Sequence, residues 1–381
     1  MDHKTCACRH PQCALSGRMA PDAPLTFRGW HRHAARFRCQ ACPVLVSART
    51  GTADAGIRTD ATTDVRGATA LAAGMSIRAP GRLLSTDKDT VNHWVPVVGA
   101  HGQNVMPYCF RHLHVLEGQL DALWTFMAKK AARLTPLEKL AAIAGAAWVW
   151  IACRPVNKLG LAWVVGKRTL CAARPLVSQL TSATDEPIPC FPSDALPHDA
   201  EALLAVDGVW RTPPRQGTRG RCPHPRRCPP PDLCYAIVVK ARKHGRVIHV
   251  TTRVVYGPLA QVEAALQASP VRRTIKTYGV ERNQLTGRQR ARRLGRQGNA
   301  FSKEPDSLAQ QRTLACAYSH FVVPHRRLRH RLLPTLPTKG QQGSRKPWKS
   351  VTPAMAAGLT DHVWTMDEVL SFRVPPKHLW C

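Results

Sequence analysis

The sequence predicts an α/β chain: a mixed sheet with flanking helices, preceded by a small metal-binding ribbon and a short helical module. Three observations predict it. Closely spaced cysteines mark the front of the chain (Cys8, Cys13, Cys39, Cys42). From Val115 onward, strand-like alternation replaces helical periodicity. Segments then follow one another as three strands, a helix, a strand and a helix.

Charge narrows the class. Lys+Arg number 55 against Asp+Glu 24, a formal net charge of +31 with a pI near 10.5. Such an excess is costly in self-repulsion unless a polyanion is the working partner. The basic residues are spread along the whole length, which fits nucleic acid better than a membrane surface. The longest apolar run, Leu140 to Cys153, is well short of the roughly 20 residues needed to span a bilayer. The first residues, MDHKTCACRH, contain no apolar signal core, so a cytosolic protein without membrane partners is expected. Its 14 cysteines are then expected to be thiols or metal ligands, not disulfides.

Residues 1–55 are expected to form a zinc ribbon. Cys8-x4-Cys13 and Cys39-x2-Cys42 have the spacing of two knuckles that build one tetrahedral thiolate site for a structural Zn²⁺. Arg36, Phe37 and Arg38 read as a short strand presenting the second knuckle. Cys6 and His10 are rival ligands, and unligated thiols in a basic arm are the alternative.

Residues 56–105 are expected to form a helix-turn-helix. Asp64 to Ala73 reads as one helix, broken at Gly74; Ser76 is placed to cap a second, Arg78 to Leu84. Asp87 is placed to cap a third, Lys88 to Val97, with Val91, Trp94 and Val95 on one face. The third helix would lie in the major groove, with Asn92 and His93 on base edges and Arg78, Arg82 and Lys88 on phosphates. Pro80-Gly81 interrupts the second helix, where glycine costs about 1 kcal/mol relative to alanine. A generic helical hairpin is the alternative.

Residues 106–335 carry the main sheet. Val115 to Phe126 is a strand bearing Asp121. Ala147 to Ala152 and Leu161 to Val165 are the next two, turned at Pro155-Val156-Asn157-Lys158. A helix (Thr169 to Leu180), a fourth strand (Ile188 to Phe191, ending at Ser193-Asp194) and another helix (Asp199 to Val206) follow. That order is a ribonuclease-H-like layout. Residues 211–231 are rich in arginine and proline and hold no acid, so they read as an extended basic insert, with Cys222 and Cys228 as free thiols. Leu233 to Lys240 and Arg246 to Tyr256 form a hairpin turned at His244-Gly245. Leu259 to Ala268 is a helix, Thr274 to Thr277 a strand leading into the helix of Glu281, and Leu308 to Phe321 a last helix. Residues 336–381 read as an irregular tail, with Trp348 and Trp364 anchoring it onto the main domain.

Three carboxylates stand in order on this layout: Asp121 on the first strand, Asp194 after the fourth, and Glu281 at the head of a late helix. Adjacent first and fourth strands would bring the two aspartates to one edge, and a helix packed there would add Glu281. Three carboxylates so close repel one another unless cations lie between them, and two Mg²⁺ (or Mn²⁺) ions suit in-line phosphodiester displacement. Asp185, Glu186, Asp199 and Glu201 are rival acids, expected in a turn and at a helix start. Glu281 also leads a basic run through Arg296, from which Arg282, Asn283, Arg288, Arg292 and Arg293 are expected to contact DNA.

At GQLDALWTF, LTPLEKL, AWVWIA, AWVVGKRTL, FPSDALP, PPPDLCYA, VERNQLTGRQRARRL, AFSKE, YSHFVVPHRRLR and TPAMAAGLTDHVW, the sequence resembles the DDE transposases of bacterial insertion sequences, of the insertion-sequence-one type. The cysteine knuckles and SIRAPGRLLSTDKDTVNHW resemble the zinc ribbon and helix-turn-helix of the same enzymes. The resemblance covers nearly the whole chain and implies that Asp121, Asp194 and Glu281 form the metal-binding triad. It further implies cleavage at the element's ends followed by 3′-hydroxyl attack on target DNA, by a homo-oligomer assembled on DNA in the bacterial cytoplasm, associated with the nucleoid. The alternatives are a catalytically decayed copy acting, if at all, as a DNA-binding protein, and a metal-dependent nuclease that cuts without joining.

Overall fold

A computed structural model describes residues 6–18, 25–31, 34–130, 133–141, 144–214, 223–271, 274–295, 300–331, 348–377 and 380. Cys222 and Arg296 lie outside the described residues. The chain forms two compact units. One comprises Met1–Cys109, Gln310–Met355 and Thr360–Cys381; the other comprises Phe110–Ala309 and Ala356–Leu359.

The first unit opens with an antiparallel sheet of β1 (Leu25–His31), β2 (Ala34–Cys39) and β3 (Leu45–Ser47), in that order. Phe37 and Ala35 turn inward against Cys6 and Ala48, so Cys6 is spent as a small core residue. Three helices follow: α1 (Ala61–Ala72), α2 (Arg78–Leu83) and α3 (Lys88–Cys109). Asp60 caps α1 by accepting the Thr63 N–H at 3.0 Å, and Gly74 ends it at φ +102°. Ser76 makes no capping bond with its side chain, because the N-cap position of α2 is Ile77 in helical conformation. Gly81 has a steric reason: a Cβ there would lie 3.0 Å from the Thr86 carbonyl oxygen, where the chain turns from α2 toward α3. Helix α3 was expected to stop at Val97. It runs on through Pro96 and Pro107 because its buried face continues as Val98, His101, Val105 and Met106. That burial outweighs the backbone bonds the prolines remove.

The C-terminal segment from Gln310, apart from Ala356–Leu359, belongs to this unit and is less irregular than expected. The helix from Pro305 is α9 (Pro305–Ala317), followed by a π-turn at Tyr318–Val322 in place of one continuous helix to Phe321. β12 (His330–Arg331) pairs with β13 (Trp348–Lys349), and α10 (Pro353–Ala356) and α11 (Met366–Ser371) follow. Thr365 and Glu368 close a reciprocal capping box on α11. Trp364 stacks between Phe321 and Phe372 at centroid distances of 4.8 and 5.3 Å, so it anchors the segment within this unit. Trp348 is half-exposed under the Arg329 guanidinium.

The second unit is built on a six-stranded mixed sheet. Its strands are β4 (Gln119–Met127), β5 (Gly145–Arg154), β6 (Leu159–Gly166), β7 (Cys190–Asp194), β10 (Cys234–Lys243) and β11 (Arg246–Tyr256). The spatial order is β11-β10-β7-β4-β5-β6. β4, β5 and β6 form an antiparallel meander; β7 lies parallel to β4, β10 parallel to β7, and β11 antiparallel on the outside. A short helix, α4 (Pro136–Ala141), precedes β5, while α5 (Leu170–Thr181) and α6 (Pro197–Val206) join β6 to β7 and follow it. Leu120, Trp150, Ile151, Phe191 and Tyr235 are among the unit's buried core residues. The basic insert begins and ends in a two-stranded ladder, β8 (Val209–Arg211) with β9 (Arg226–Cys228). The β10–β11 hairpin turns at His244 and Gly245, both with positive φ. α7 (Leu259–Ala268) and α8 (Tyr278–Arg290) complete the unit. No strand forms at Thr274–Thr277: the buried Thr277 ends this stretch as the N-cap of α8, with its hydroxyl turned to acidic side chains. Among the described residues no helix is long and apolar enough to cross a membrane.

Candidate active site and metal centre

In the first unit, Cys8, Cys13, Cys39 and Cys42 come together, with all four sulfurs within 4.8 Å of one another. Cys8 and Cys42 approach to 3.6 Å and Cys13 and Cys39 to 3.7 Å. A tetrahedron with Zn–S bonds of about 2.3 Å has edges of about 3.8 Å, so the spacing is that of a structural zinc site. Burial pushes the Cys8 thiol up to about 12, and metal binding must therefore displace its proton. The expected ligand set is thus the one the fold assembles, and Cys6 is not part of it.

In the second unit, the parallel pairing of β4 and β7 sets Leu120 opposite Ser193, which makes Asp121 and Asp194 neighbours at the carboxyl end of β7. The start of α8 is fastened over the same edge. Gln119, two residues before Asp121, accepts the Val280 N–H on Oε1 at 3.1 Å and donates through Nε2 to Glu117 at 2.7 Å. Ser269 donates to the other Glu117 oxygen at 2.9 Å. Gly279 allows the approach, since a Cβ there would sit 2.7 Å from Gln119 Oε1. Glu281 is thereby held beside the two aspartates.

A lysine stands among these acids. Lys240, on β10, donates to Asp194 Oδ1 at 3.1 Å and Oδ2 at 3.4 Å, and is also bonded to Glu281. The Thr277 hydroxyl lies 3.1 Å from Asp194 Oδ1 and 3.3 Å from Glu281 Oε1. Asp121 accepts the Ala122 N–H at 2.7 Å. Burial, then the neighbouring Asp194 and more weakly Glu281, raise the Asp121 carboxyl to about 6, against the pull of that N–H and of Lys240. A cavity of about 550 Å³ opens beside Glu281 and Lys240, lined also by Thr277, Tyr278, Leu259 and a second carboxylate, Glu263.

The rival acids separate cleanly. Asp185 and Glu186 lie on the surface near His114, and Glu201 is exposed near His198. Asp199 differs: expected as a helix-start acid, it is in the first turn of α6 but only 2% exposed, and its Oδ2 has no hydrogen-bond partner. Burial raises it to about 7, the Ser193 hydroxyl opposes the shift, and Asp121 and Asp194 add to it. Ser193 is itself bonded to the Tyr235 hydroxyl at 2.8 Å.

Of the residues expected on DNA, Arg78, Arg82, Lys88, Asn92 and His93 are all exposed, while Val91, Trp94 and Val95 on the opposite face of α3 are buried. Arg282 and Arg292 are exposed along α8 and just beyond it; Arg288 is partly buried. Arg293 reaches inward to the Ser302 hydroxyl at 3.3 Å, and Asn283 contacts the Lys158 carbonyl at 3.5 Å, so both also serve the fold. The sequence reading passed over Lys240, Gln119, Thr277 and Asp199 as members of this centre. Only the register of β10 on β7 and the docking of α8 reveal the first three. Asp199 carried one signal: an acid five residues beyond Asp194, where a helix leaves the strand.

Among the described residues, Cys8, Cys13, Cys39 and Cys42 are the one cluster close enough to hold a metal ion as it stands, whereas Asp194 and Glu281 are bridged by Lys240. The raised carboxyl of Asp121 records its burial first, and then the nearness of Asp194 and Glu281. Neither a protein-family model nor a curated protein matches this chain.

Proposed function

We propose that the chain is a DNA transposase of the DDE type, resembling those of insertion-sequence-one elements, with a ribonuclease-H-like catalytic unit preceded by a zinc ribbon and a helix-turn-helix. The observation that carries this reading is the convergence of Asp121, Asp194 and Glu281 from β4, β7 and α8. They meet on one sheet edge whose strand order is 3-2-1-4-5-6 when its strands are counted along the chain. The zinc site and the net charge of +31 support the DNA-binding half. Helices α2 and α3 fit a helix-turn-helix whose exposed face carries Arg78, Arg82, Lys88, Asn92 and His93.

In this reading Asp121, Asp194 and Glu281 hold two Mg²⁺ or Mn²⁺ ions. When bound, these supply activation of the attacking oxygen and stabilisation of the leaving oxygen of the phosphodiester. The chain's own part is positional. The β4–β7 pair fixes two acids, Gln119 and Glu117 fix the helix that brings the third, and the exposed arginines along α8 hold the backbone of the DNA.

The test is strand cleavage and strand transfer on DNA bearing the element's ends. Asp121→Ala, Asp194→Ala and Glu281→Ala are each expected to abolish both reactions while DNA binding persists. Asp185→Ala and Glu201→Ala, on the surface, are expected to remain active. Full cleavage by Glu281→Ala would end the reading. An inactive wild type that still binds its ends would favour a catalytically decayed DNA-binding copy, and cleavage without joining would favour a nuclease.

A further inference from the structure

The ammonium of Lys240 occupies the place among the acids where a cation belongs. It is mostly buried, it bonds both oxygens of Asp194, and it bonds Glu281 as well. Its strand puts it there by register: Val238 pairs with Asp194, so Lys240 stands two residues further along β10, on the same side of the sheet as Val238. The Thr277 hydroxyl braces the same two carboxylates from the other element. The lysine also lines the 550 Å³ cavity beside Glu281, so its long stem can swing toward an incoming group there without unfolding anything.

We propose that Lys240 is a built-in competitor for the divalent cation, making metal binding and DNA binding depend on each other. This rests on the reading of the acids as a metal centre. Without DNA, a cation entering between Asp194 and Glu281 must expel the ammonium from two carboxylates, and among the described residues the cavity offers it a single other one, Glu263, in exchange. With DNA bound, the backbone phosphate offers a further partner. The lysine moves to the phosphate, and the two carboxylates are released to the metal. DNA therefore raises metal affinity, and by linkage the metal raises DNA affinity by the same factor. Such a device keeps the centre poorly loaded until substrate is present.

The experiment is a titration of the zinc-loaded full chain with Mn²⁺, followed by the electron paramagnetic resonance of the free ion, with and without a short blunt DNA duplex. For the wild type, the duplex is expected to tighten Mn²⁺ binding roughly tenfold, within the usual range for two coupled sites. Lys240→Met, which keeps the apolar stem, is expected to bind Mn²⁺ more tightly than the wild type without DNA and to lose most of the coupling. Lys240→Arg, which keeps the charge, is expected to retain it. Mn²⁺ affinity of the wild type that is the same with and without DNA would overturn the proposal even if Lys240→Met failed to fold. So would a folded Lys240→Met that binds Mn²⁺ no more tightly than the wild type. Absence of Mn²⁺ binding from every protein under every condition would overturn the metal-centre reading as well, which separates the two failures.

Discussion

The side-chain oxygen of Gln119 accepts the backbone N–H of Val280 at 3.1 Å, so the strand that carries Asp121 also holds the helix that carries Glu281. An N–H in the first turn of a helix has no partner within the helix; here a buried amide from β4 supplies one. Gln119→Ala leaves the Val280 N–H buried and unpaired and removes one of the two bonds to Glu117. The expected loss of stability is about 1–3 kcal/mol in chemical denaturation. Gln119→Glu can still accept from Val280, but it sets a second carboxylate against Glu117. Its stability is therefore expected to recover at acidic pH, whereas that of Gln119→Ala is not. Identical pH dependence for the two variants would remove Gln119 from this role.

The four-thiol site is expected to hold one zinc per chain. Cys39→Ser should lose it, because Cys39 lies 3.7 Å from Cys13 and completes the set. Cys6→Ser should keep it, since Cys6 packs with Ala35, Phe37 and Ala48. Metal analysis of the purified proteins checks both. Stoichiometric zinc surviving replacement of all four cysteines would refute the site.

How far the sequence disclosed these features follows from what each depends on. The zinc ligands were legible because spacing along the chain is itself the signal. That Asp121 lies on the first strand and Asp194 at the end of the fourth was legible from strand alternation, a local pattern. Lys240 was not, because its position among the acids comes from the pairing of Val238 with Asp194, a tertiary fact. Asp199 looked like an ordinary acid in a first helical turn, where the macrodipole favours one; only the packing of α6 buries it. The third helix was expected to end at Val97, and the buried stripe through Met106 carries it on to Cys109.

In the proposed reading, the exposed face of α2 and α3 would make two kinds of DNA contact. Arg82→Ala and Lys88→Ala are expected to weaken binding to all sequences alike and to lower the slope of log affinity against log salt by about 1 each. Asn92→Ala is expected to weaken binding to the element's ends by about 1–3 kcal/mol while hardly changing affinity for random DNA. Fluorescence anisotropy across a salt series measures both. Equal affinity of the wild type for end and random DNA would make this face an electrostatic clamp.

The last prediction concerns Asp199, buried behind Asp121 and Asp194. Its carboxyl is raised from an ordinary 3.8 to about 7, chiefly by burial. The folded protein therefore holds a proton there that the unfolded chain has given up across most of that interval. Stability from this group is fully present below the unfolded value and is lost as pH rises through the folded one. The loss between about pH 4 and pH 7 is on the order of 2–4 kcal/mol, at roughly 1.4 kcal/mol per unit. Asp199→Asn cannot ionise, so its stability relative to the wild type should improve steadily as pH rises across that window. Its absolute stability at low pH is expected to be lower, because Oδ2 has no partner and an amide nitrogen in its place would be a buried, unpaired donor. Asp121, raised to about 6, titrates in the same window and is coupled to Asp199, so the difference between the two proteins reports Asp199 together with its effect on Asp121. Urea denaturation of the two proteins at several pH values supplies the measurement. Parallel curves of stability against pH would show that Asp199 is ionised in the folded protein throughout, and that its burial is offset by contacts other than a proton.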